Sequence, residues 1–102
     1  MIPTVVRASL EARAVRVSPG GERFYRTVDA LEWLAECERH GEPAPDVEGF
    51  EIAGDDPRLW VRMDLISRWG DAESANGIRS ARELLAGATA SHGRELAWAL
   101  LL

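Results

Sequence analysis

Residues 96–102, LAWALLL, hold no charged or polar side chain apart from the indole N–H of Trp98. Leu96, Trp98, Leu100 and Leu102 fall on one alternation, and Ala97, Ala99 and Leu101 on the other. An extended chain of this composition is apolar on both sides, so it needs cover on both faces of a sheet. A buried helix of Ala and Leu satisfies the same pattern, and periodicity does not choose between the two. In either form the end of the chain is expected to be packed or paired.

The rest of the sequence supplies what such a segment needs as cover. With 102 residues the chain is expected to form one domain, residues 1–102, and its 46% hydrophobic and 28% charged residues exclude a mainly disordered or collagenous chain. No apolar run reaches the ~18 residues of a membrane span. The first fifteen residues carry Arg7, Glu11 and Arg13 and lack the apolar centre of a secretory signal, so a cytoplasmic location is expected. Cys37 is the only cysteine, which rules out an intramolecular disulfide and agrees with a reducing compartment.

Residues 4–14 alternate in the manner of a half-buried strand, although Val6, Leu10, Ala14 and Val17 also fit a helix face. The turn cluster Ser18-Pro19-Gly20-Gly21 and the aromatic, β-branched run after it favour the strand, with a hairpin formed by residues 12–17 and 22–27. Thr27 or Asp29 can cap the helix that follows, which carries Ala30, Leu31, Leu34 and Cys37 inward and ends at Gly41 and Pro43. Residues 41–49 read as a loop and FEIA as a short strand. Beyond the turn at residues 54–57, alternation of Leu59, Val61 and Met63 predicts a second hairpin, with a short helix from Asp64. The competing reading is one helix opening at Asp56-Pro57. Residues 74–77 read as a loop, and IRSARELLAGA as a helix facing inward with Ile78, Ala81, Leu84, Leu85 and Ala88. The predicted order is β-β-α-β-β-α-α-β. This is a small α+β domain with a mainly antiparallel sheet of four to five strands packed against two to three helices.

Charge is distributed unevenly. Residues 1–28 carry a net +3, residues 29–57 a net −9 and residues 58–102 a net +1, for a total of −5. That asymmetry implies either a partner surface of opposite sign or a compensating basic surface within the fold. All twelve cations are Arg, suited to bidentate carboxylate pairing and to stacking on the four Trp.

No nucleophile elbow, phosphate loop or dinucleotide glycine pattern occurs. Cys37, His40 and His92 lack paired-ligand spacing, and Asp55, Asp56 and Asp64 read as a turn and a helix cap, so no metal, cofactor or catalytic set is expected. His40 reads as an exposed residue at a helix C-terminus. Arg7, Arg13, Arg16, Arg23 and Arg26 with Phe24 and Tyr25 on a hairpin resemble a single-strand-binding surface, but the acidic balance makes direct nucleic-acid binding the weaker expectation.

The acidic segment is the stronger lead. Asp29, Glu32 and Glu36 at helical spacing, with Glu42, Asp46, Glu48 and Glu51 after them, predict a negative patch able to steer association with a basic surface. Trp60 and Trp69, set among Arg62 and Arg68, are the candidate interface anchors. The function this predicts is non-enzymatic: a small inhibitor of the immunity, antitoxin or anti-CRISPR kind that occludes a basic, nucleic-acid-handling protein, without membrane or cofactor. The alternative is a ligand-binding or enzyme subunit whose site forms in a homodimer or larger homo-oligomer.

Overall fold

The computed structural model describes residues 2–43, 45–52, 61–67, 74–92 and 96–101. The elements are α1 (Thr4–Glu11), β1 (Arg16–Val17), β2 (Arg23–Arg26), α2 (Thr27–Arg39), β3 (Asp46–Glu51), β4 (Val61–Ser67), α3 (Ser74–His92) and β5 (Leu96–Leu101). The strands form one sheet in the order β1-β2-β5-β3-β4, with every pairing antiparallel. The predicted α+β class is the observed one.

The apolar C-terminal segment is a strand, and it takes the centre of the sheet. Its two alternations serve two clusters. Leu96 and Trp98 join Tyr25, Val47, Trp33, Leu34, Ile78 and Leu85 in the main core, to which all three helices contribute. Ala97 and Ala99 face the other way, into a smaller cluster with Phe24, against which Val15, Phe50 and Ile52 pack. A helical reading of this segment could not have filled both clusters, because it would have left β2 and β3 without the strand that joins them.

Residues 4–14 are the main departure from expectation. Thr4–Glu11 is a helix, entered from Pro3, whose carbonyl accepts the Arg7 N–H at 2.9 Å. The alternation that suggests a strand places Ala8 and Ala12 on its apolar side, and both are exposed, so little would be gained by burying it. The helical face instead brings Leu10 into the core, with Ile2, Val6 and Ala14 beside it. Of the competing helix face Val6, Leu10, Ala14 and Val17, the helix itself takes Val6 and Leu10; Ala14 lies beyond its end and packs against the core, and Val17 is an exposed residue of β1.

The hairpin is present but short on one side, since β1 holds two residues. Its turn is closed by Gly21 N–H to the Ser18 carbonyl at 2.9 Å, with Gly21 at φ +84°, and by Glu22 N–H to Ser18 Oγ at 3.0 Å. Neither Thr27 nor Asp29 caps α2: the helix starts at Thr27, with Arg26 in extended conformation before it. Its C-terminus follows the sequence, with Gly41 at φ +68°. Glu42 N–H bonds to the Cys37 carbonyl at 2.8 Å and Gly41 N–H to the Glu38 carbonyl at 3.3 Å, the paired closure that a left-handed glycine allows.

Three further boundaries differ. β3 begins at Asp46, inside the predicted loop, because Val47 belongs to the main core. β4 continues through Asp64 to Ser67, which excludes both a helix from Asp64 and a single helix through this region. α3 begins at Ser74, so residues 74–77 are its first turn. The residues predicted to face inward from α3 do so, with Ile78, Ala81 and Leu85 fully buried.

Candidate functional site

Helix α2 lies between the other two helices, and its sequence has four sides. Ala30, Trp33, Leu34 and Cys37 point at the sheet and are buried. One flank meets α1, where Arg13 Nη1 stands 3.8 Å from Asp29 Oδ1 and the Arg7 guanidinium lies 5.7 Å from the Trp33 ring centroid. Ile2 N–H also reaches Glu42 Oε1 at 3.3 Å. The N-terminal side of α1 therefore meets the C-terminal end of α2 and the reverse, so the two helices are antiparallel. The other flank meets α3, where Arg82 donates to both carboxylate oxygens of Glu38 at 3.1 and 3.2 Å. The fourth side, Val28, Glu32, Ala35 and Arg39, spans roughly 60° of arc opposite the core face.

This arrangement decides the fate of the predicted acidic stripe. Asp29 is half-buried and paired with Arg13. Glu36 is 8% exposed, which corrects its assignment to an outward stripe. A carboxylate that far from water needs a cation or close polar partners, and Glu36 has Arg39 in direct contact on one oxygen and His40 Nε2 3.2 Å from the other. His40 is half-buried rather than exposed for the same reason. Glu32 alone of the three stays exposed, and among the described residues no ion pair involves it. The compensating basic surface is thus partly internal, since Arg13 and Arg82 come from the flanking segments to Asp29 and Glu38.

The acids after the helix do not extend a patch from it. Glu42 is half-buried at the start of the chain, as the acceptor for Ile2. Val47 points into the main core, so Asp46 and Glu48 project from the opposite face of the sheet. There Glu48 is level with Ala99 and Asp46 with Leu101, whereas Glu51 is level with Leu96 on the helix side. The seven predicted acids are therefore shared between two faces of the molecule. Trp60 and Trp69 lie outside the described residues, as do Asp55 and Asp56, and Asp64 lies within β4. Trp33 and Trp98 are fully buried in the core.

The hairpin surface has lost its aromatic component. Phe24 and Tyr25 are buried on opposite faces of the sheet, Phe24 edge-on to Phe50 with centroids 5.3 Å apart and Tyr25 edge-on to Trp33 at 5.8 Å. Neither ring is available to stack on a base. Burial raises the Tyr25 pKa, with the Trp33 indole acting in the opposite direction.

Cys37 is buried, and burial followed by the Glu42 carboxylate pushes its thiol up to about 11, so it is a poor nucleophile. Among the described residues no three His, Cys, Asp or Glu side chains cluster in a way that could hold a metal ion. No helix among them is long and apolar enough to cross a membrane.

The line Val28–Glu32–Ala35–Arg39 was missed in the sequence because only its acid was weighed. Its signal was present all the same, as the side of the helix opposite Ala30, Trp33, Leu34 and Cys37. In α1, Thr4, Val5, Ala8 and Ser9 are exposed and uncharged. Val5 and Val28 are 79% and 66% exposed, the largest values among the exposed large hydrophobics of the described residues. No protein-family model matches the chain, and it has no significant match among curated proteins or solved structures.

Proposed function

We propose that the chain is a non-enzymatic, protein-binding inhibitor of the immunity or antitoxin kind, which occludes the basic surface of a nucleic-acid-handling protein. The observation that carries this reading is the exposed pair Val28 and Glu32, one turn apart on α2: an apolar anchor beside a carboxylate that has no cation of its own among the described residues. The chain's net charge of −5 supports it by favouring encounter with a cationic surface. Steering is narrowed from the whole acidic segment to Glu32, because Asp29 and Glu36 are held by arginines and Asp46 and Glu48 face away.

The test is affinity capture from the source cells at low and high salt with the wild-type chain and with Glu32→Arg. The reading requires a stoichiometric basic, nucleic-acid-handling partner, whose activity the chain inhibits and whose retention falls with salt and with the substitution. An acidic partner, or a basic one held equally well by Glu32→Arg, refutes the assigned surface. Recovery of the chain alone refutes the inhibitor reading itself.

A further inference from the structure

The outer line of α2 is complementary to itself. Glu32 and Arg39 are seven residues apart, two helical turns, and so stand on the same side of the helix with opposite charge. Ala35 lies midway between them and offers only a methyl group, which permits close approach of another helix. When two such helices pack antiparallel about a two-fold axis near Ala35, Glu32 of each faces Arg39 of the other, and the contact is made twice. We infer that this face of α2 binds a second copy of the chain in that arrangement.

Three features of the structure fit a second copy better than another occupant. Arg39 is pre-positioned: its contact with the buried Glu36 fixes the guanidinium, while its side chain remains 64% exposed with further N–H donors outward. Glu32 has no cation within the chain among the described residues, so the partner's arginine supplies one. Val28, on the same line and 66% exposed, adds apolar area to the contact without adding charge. A foreign helix would need an acid and a base at this same spacing, whereas the chain already supplies both. The inference is independent of the inhibitor reading, although both use Glu32. A dimer of this kind covers Glu32 and Val28, so dimerisation and partner binding would exclude each other.

Sedimentation velocity of the intact chain between about 1 and 500 µM tests the inference. A concentration-dependent dimer is expected for the wild type. Glu32→Arg and Arg39→Glu should each weaken it at least about tenfold, since each sets like charges against one another twice. Mixed one to one, the two variants should form a heterodimer, because each then meets its opposite charge. Arg39→Glu also removes the cation from Glu36, so its fold is checked by far-UV circular dichroism. Where it does not fold, Ala35→Glu, which sets two carboxylates together on the axis, takes its place and should also give a monomer. A wild-type monomer throughout the range overturns the inference, as does a dimer that survives both Glu32→Arg and Ala35→Glu.

Discussion

Trp98 donates its indole N–H to Thr27 Oγ1 at 2.9 Å, joining the centre of the sheet to the first residue of α2. The bond spans 71 positions of sequence and lets a fully buried indole meet its polar requirement. It also explains how α2 begins without a side-chain cap, since Thr27 is fixed from the sheet side. Thr27→Val keeps the shape and removes the acceptor, leaving a buried donor unsatisfied. Equilibrium denaturation should show a loss of about 1–3 kcal/mol, and Thr27→Ser should recover most of it.

On the opposite face, the small side chains of β5 are a requirement. Phe24 stands level with Ala99 and Phe50 with Ala97, and the two rings meet edge to face above the strand. Ala97 is fully buried beneath them. Ala97→Leu is therefore expected to destabilise the fold by roughly 1–3 kcal/mol through overpacking, despite adding apolar surface. Phe24→Ala should cost about 3–5 kcal/mol by the opposite mechanism, an unfilled cavity. Thermal or chemical denaturation of the two variants measures both effects.

How much of this was legible in the sequence depends on how locally each feature is determined. Gly41 and Pro43 placed the end of α2, and Ser18-Pro19-Gly20-Gly21 placed the hairpin turn, because turn chemistry is set by the residues themselves. The apolar pattern announced the burial of Leu96, Ala97, Trp98 and Ala99, but the choice of strand came from β2 and β3, which need it between them. Residues 4–14 fitted both periods, and the decision fell to contacts with the core and the flank of α2 that no local pattern shows. That one ambiguity carried into the candidate site. With residues 4–14 read as a strand, no helix is expected on that flank of α2, and Asp29, Glu32 and Glu36 read as one exposed stripe. With α1 packed there instead, Arg13 takes Asp29, while Arg39 and His40 at the end of α2 hold Glu36, and of the three only Glu32 remains outward.

Cys37 gives a pH dependence with a definite sign. Burial raises its folded pKa from the ordinary thiol value of about 9 to about 11, so the native state holds the thiol proton more tightly than the unfolded chain. Between those two values the unfolded state releases a proton that the native state keeps, and stability falls as pH rises. The contribution is fully present below about pH 9 and lost towards pH 11. Tyr25, also raised by burial, adds to the fall at its upper end. Cys37→Ala should flatten the decline across this window while leaving the part due to Tyr25. Denaturation midpoints collected from pH 7 to 11 for the two proteins provide the comparison.

The attachment of α1 rests on few groups, and Leu10 is its only buried residue within the helix itself. An eight-residue helix has no stability of its own in water, so its helicity depends on this packing and on the Arg7 and Arg13 contacts with α2. Leu10→Ala should cost about 2–5 kcal/mol if α1 and the core unfold as one unit. If α1 instead opens alone, global stability will change less, while hydrogen exchange in residues 4–12 accelerates and α2 and β5 remain protected. The lesser attachment of α1 favours the second outcome. Opening of α1 uncovers the flank of α2 beside Cys37, so the thiol should react faster with a disulfide reagent at neutral pH in Leu10→Ala than in the wild type. Unchanged exchange in α1 together with unchanged thiol reactivity would show that Leu10 is not what holds the helix in place.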